Sequence, residues 1–173
     1  MSTKSVSAMI FTLLLSSTSA VADCSVSGTG GQKFIHIEKK WSIIERSDLP
    51  DDDKKLWEEH HAGLCPGIAV VDLDGQGWSY ALALLRKSRS GTVEKLVLFK
   101  RTGSHLRQIQ IRGAFKVVSP FVVWKAAPGI FFDQGTGVRV RIAHDSIIYE
   151  KMESTSTQFY ASRSGIRSLL VSN

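Results

Sequence analysis

The chain has 173 residues, with 22 Lys or Arg against 16 Asp or Glu, a formal net charge of +6. Hydrophobic residues make up 43%, enough to build a core, so disorder is excluded as the main state. Collagen-like, coiled-coil and polytopic membrane classes are excluded too, and two cysteines are too few for a disulfide-dense scaffold or an all-thiolate zinc site.

Residues 1–22 read as a secretory signal peptide. Lys4 supplies the positive start, residues 8–15 the apolar run, and Ala20-Val21-Ala22 the cleavage site. The run is far shorter than the ~20 residues that span a bilayer. Cys24 raises a lipoprotein alternative, but Asp23 stands where a lipobox has a small residue. The expected product is a periplasmic or secreted chain from residue 23. In an oxidising compartment Cys24 and Cys65 are expected to form a disulfide. It would tie a glycine-rich leader, residues 23–32, to a single domain over 33–173.

Residues 34–37 suggest a short strand, and 41–44 form another apolar patch. Residues 51–62 are the best helix. Asp51, Asp52 and Asp53 suit the positive end of its dipole, His60 and His61 suit the other end as imidazoliums, and Gly63 suits a left-handed cap. Trp57 is expected to pack this helix across a sheet. From Pro66 onward the pattern is β. Residues 68–71 read as a buried strand and 80–85, apolar on both faces, as a central one. A hairpin turn over 88–91 leads to a strand at 95–99. Residues 106–112 alternate, and Pro120 marks an edge or a break between 117–118 and 121–124. Further strands are expected over 130–132, 138–142, 146–149, 157–160 and 166–171. Arg139 and Arg141 share one face of theirs. The expected fold class is α+β, a mainly antiparallel sheet of short strands with one helix on it.

The stretch Ala69-Val70-Val71-Asp72-Leu73-Asp74-Gly75-Gln76-Gly77-Trp78-Ser79-Tyr80-Ala81-Leu82 resembles one FG-GAP, or integrin-alpha-like (VCBS-like), repeat. In that family a strand enters an Asp-x-Asp-Gly-Asp-Gly loop whose carboxylates hold calcium, and the next strand starts at an aromatic residue. The resemblance implies a β-hairpin and makes Asp72 and Asp74 candidate calcium ligands. Gln76 replaces the third carboxylate, and Ser79 stands where the family has its last Asp. Without metal, the same loop is a tight turn with positive φ at Gly75 and Gly77, capped by Asp74. The stretch over 158–166 is also similar to a closing hairpin of small exported bacterial proteins.

Catalytic signatures are sparse. Glu58-Glu59-His60-His61 lacks His-Glu-x-x-His spacing, and no Gly-x-Ser-x-Gly elbow occurs. His105, His144 and Asp145 fit loops. Charge layout says more. Residues 86–141 hold twelve Lys or Arg against two acids, Glu94 and Asp133, a net +10, whereas 45–74 hold nine acids against three bases, a net −6. Arg86, Arg107, Arg112, Arg139 and Arg141 are the candidate binding residues of a basic face. The leading expectation is an exported, non-enzymatic interaction protein of the inhibitor or immunity type. Its partner would be an anionic envelope component or an acidic protein. Nucleic acid is disfavoured by export and by the lack of a reading motif. The alternatives are a calcium-binding module through Asp72 and Asp74, and an envelope hydrolase using loop His and Asp residues.

Overall fold

The computed structural model describes Cys24, residues 37–102 and 105–152, Ser154 and residues 156–171. The signal segment, the leader apart from Cys24, and the strand at 34–37 apart from Ile37 lie outside these residues. In chain order the elements are β1 (Ser42–Ile43), a 3-10 turn (Arg46–Asp48), α1 (Asp51–His61), β2 (Ile68–Val71), β3 (Ser79–Ser88), β4 (Gly91–Thr102) and β5 (His105–Val117). Then come β6 (Val122–Ala126), β7 (Gly129–Asp133), β8 (Val138–Ile142), β9 (Ser146–Glu150), β10 (Ser156–Ser162) and β11 (Gly165–Val171). Among the described residues every strand pairing is antiparallel, so the expected fold class holds.

The first sheet has the order β1-β3-β4-β5, with β2 also on β3. β1 and β2 follow one another along the same edge of β3, opposite Leu84–Leu85 and Ser79–Leu82 respectively. The second sheet has the order β11-β10-β9-β6. Ala81, Ala83 and Leu85 of β3, with Leu96 and Leu98 of β4, join Val123, Ile147, Tyr149 and Phe159 in the core between the sheets. The alternate residues Tyr80, Leu82, Leu84, Val97 and Phe99 form a second cluster with Trp41 on the opposite face of the first sheet. β3 is apolar at successive positions because both its faces are covered.

One flank of the sandwich is closed. Pro66 O accepts the Val123 N–H of β6 at 2.7 Å, and Gly67 O accepts the Ala83 N–H of β3 at 3.0 Å. Gly67 is required there, since a Cβ would lie 2.4 Å from Ile44 O. The disulfide Cys24–Cys65, with Cα atoms 5.3 Å apart, sits at the start of this segment. α1 adds Trp57 to the core, 2% exposed, and the indole N–H donates to Leu64 O at 3.1 Å.

The helix corrects one expectation. The His61 ring lies 4.4 Å from Trp57 and 5.0 Å from Trp124 of β6. Burial first, then the charge of His60, lowers its pKa, so this site disfavours rather than stabilises an imidazolium at His61. Desolvation disfavours the charged form of a buried imidazole.

β7 and β8 form a separate two-stranded ribbon. Its tip is tied to β11. Gln134 N–H donates to Leu170 O at 2.9 Å, and Leu170 N–H donates to the Asp133 carboxylate at 3.0 Å.

Candidate binding cleft

The flank opposite β2 and β6 is open. β5 and β11 are the outer strands of their sheets, and among the described residues no pairing joins them. Between them lies a cleft of about 570 Å³. Its floor is apolar, formed by Leu73, Leu98, Ile109, Ile111, Phe159, Ala161 and Ile166. Asp74, Lys100, Gln110, Ser162, Arg167 and Ser168 supply polar groups to its lining. Alternation along β5 explains the floor. Ile109 sits opposite Leu98 and takes the inner face with it, and the bulge between Gln110 and Arg112 accommodates Ile111.

The five candidate arginines divide among four places on the fold. Arg86 lies 5.0 Å over the Trp41 ring, on the face of the first sheet turned away from the second. Arg112 lies 4.4 Å over Phe115 and 5.8 Å from Phe121 and Tyr149, at the margin of the inter-sheet core. Arg107 is exposed opposite Lys100, beside the cleft. Arg139 and Arg141 belong to the ribbon.

The fold also reunites part of the separated charge. Lys87 pairs with Asp48 at 2.6 Å and Lys100 with Asp74 at 2.5 Å, each joining the basic segment to the acidic one. Arg46 pairs with Glu58 within the acidic segment.

Asp72 and Asp74 sit in the turn of the β2–β3 hairpin, where Gly75 and Gly77 have φ of 73° and 110°. The Gly77 N–H donates to Asp72 at 3.2 Å and the Gln76 N–H to Asp74 at 3.3 Å. Burial opposes ionisation of Asp74. The Lys100 ammonium outweighs it, helped by the Gln76 N–H and His144, and the carboxyl lies below its ordinary range. The turn is clasped to the β8–β9 link. Asp145 accepts the Asp72 N–H at 3.1 Å, and a Cβ on Gly75 would stand 2.9 Å from the His144 ring. Asp72, Asp74, His144 and Asp145 therefore come together as a clasp whose carboxylates already have donors. Among the described residues no group of three or more His, Cys, Asp or Glu side chains could hold a metal ion. His60 on α1 and His105 on β5 belong to other elements.

Sequence reasoning missed Lys100, Gln110 and Arg167 as a set, because only the meeting of β5 with β11 brings them together. It also missed Glu94, whose signal was present: it is one of two acids in a strongly basic stretch. Both acids serve as internal acceptors. Glu94 is fully buried and accepts from the Tyr149 hydroxyl and, at 3.0 Å, from the Phe121 N–H. Burial pushes its pKa up to about 7, against the pull of those donors and of Arg112. Burial and the Glu94 carboxylate together hold the Tyr149 hydroxyl protonated. Asp133 accepts from the Thr136 hydroxyl at 2.7 Å and from the Leu170 and Gly135 N–H groups, which hold its pKa below the ordinary range.

The chain matches no protein-family model, no curated protein and no solved structure in comparisons with each.

Proposed function

We propose that the chain is an exported, non-enzymatic binding protein, and that its partner is an anionic amphiphile of the cell envelope held in the cleft between β5 and β11. The observation that carries this reading is the cleft itself, an apolar trough with a cationic and polar margin. Its volume, about 570 Å³, lies within the range of small-molecule sites. An acyl or similar apolar chain would displace water from Leu98, Ile109, Phe159 and Ile166. The anionic head would remain at the margin. Arg167 has no carboxylate partner among the described residues, and a carboxylate or phosphate can take both arms of its guanidinium. Lys100 would approach the same head while Asp74 fixes its position. Arg107, opposite Lys100, extends the positive field that draws an anion to this flank.

Displacement of a fluorescent fatty acid by unlabelled long-chain anions tests the reading. Ala161→Phe fills the trough and is expected to abolish binding. Arg167→Ala is expected to weaken it about fivefold and to flatten its salt dependence. Unchanged binding in both variants, or no binding by the parent protein, would overturn the proposal.

A further inference from the structure

The ribbon of β7 and β8 carries a second surface, separate from the cleft. Ile130 pairs with Arg141 and Phe132 with Arg139, so these four side chains share one face of the ribbon. All four are exposed, Ile130 at 66% and Phe132 at 55%. On the other face Ile142 is buried, and Phe131 and Val140 are half-buried. Val138 beside the turn, also on that other face, and Leu170, tied to the tip, are exposed as well. Of the seven large hydrophobic side chains exposed among the described residues, four lie on this ribbon or against its tip. Such a concentration on one small element calls for a contact.

We propose that this face docks on the surface of an anionic lipid bilayer, with Phe132 and Ile130 entering the headgroup boundary and Arg139 and Arg141 meeting the phosphates. Charge complementarity selects an anionic partner, since neither arginine has a carboxylate partner among the described residues. The acid nearest in sequence on the ribbon, Asp133, is engaged by its own N–H and hydroxyl donors. Extent selects a membrane over a protein. Four side chains bury far less than the roughly 1,000 Å² of a specific protein interface. A bilayer needs no matching surface: alternate apolar and cationic side chains on one face suffice for interfacial binding.

Co-sedimentation with vesicles of phosphatidylglycerol and phosphatidylcholine tests this, with pure phosphatidylcholine vesicles as the neutral arm. Binding is expected to the anionic vesicles only and to fall steeply as salt rises. Arg139→Ser with Arg141→Ser should weaken partition by an order of magnitude or more, at about fivefold per arginine. Phe132→Ser should weaken it about tenfold. Circular dichroism and fatty-acid displacement should be unchanged in these variants, which separates failure here from failure of the cleft reading. The inference is overturned by equal binding to both vesicle types, by full binding in the variants, or by no binding to anionic vesicles.

Discussion

The two flanks of the sandwich are built in opposite ways. On the β2–β6 flank the chain crosses between sheets with direct backbone hydrogen bonds, a glycine at a close approach and a disulfide at the entry. On the β5–β11 flank two outer strands face each other across the trough. The closed flank supplies stability. The open one leaves apolar side chains of its outer strands, Ile109, Ile111 and Ile166, only half-buried. Binding sites arise where packing is incomplete while the surrounding frame is secure.

Substitutions on the two flanks should therefore differ in kind. Trp57→Ala, on the closed side, removes one of the largest buried side chains among the described residues and is expected to destabilise by about 4 kcal/mol in urea unfolding. Glu94, which joins the sheets through Tyr149 and Phe121, sharpens the contrast by pH. Its pKa is raised in the folded state, so the folded state keeps a proton that the unfolded chain releases. The contribution of Glu94 to stability should fall as pH rises from about 4.5 through about 7, by roughly 3 kcal/mol, and Glu94→Gln should remove that contribution. Urea midpoints at pH 5 and pH 8 measure this, and an unchanged slope in the variant would refute the assignment. Gly67→Ala forces a Cβ against Ile44 backbone atoms and should cost about 2 kcal/mol. Ile109→Ala, on the open side, should cost only about 1 kcal/mol, because the side chain is already half-exposed at the trough. If Ile109→Ala proved as damaging as Trp57→Ala, the open flank would be part of the structural frame after all. The smallest effect is expected from metal. Calcium or a chelator should shift the melting temperature by less than about 1 °C, since Asp74 is held by Lys100 and Asp72 by the Gly77 N–H.

Much of the architecture was legible residue by residue. Alternation at Ile109 and Ile111, the double-faced run in β3 and the turn at Gly91 are local signals, and local signals suffice where strands join through short hairpins. The helix at 51–61 was legible from its acidic start, but the state of His61 was not. Its pKa is lowered first by burial, and one of the rings packed on it, Trp124, lies 63 residues away in the chain. The basic stretch over 86–141 was legible as a count and misleading as a surface. The pleat of a strand sends successive residues to opposite faces, and Arg86 and Arg112 fall on different sides of one sheet.

The sequence by itself determined the class of fold, the pairing of Cys24 with Cys65 and the preponderance of cations in the middle of the chain. Each depends on composition, periodicity or the presence of only one possible partner. Only the tertiary structure decided which cations meet an acid and which flank stays open. It also placed Ile130 and Phe132 beside Arg141 and Arg139. Those outcomes depend on strand register and sheet order, which arise from contacts between residues far apart in the chain and leave no periodic trace within it.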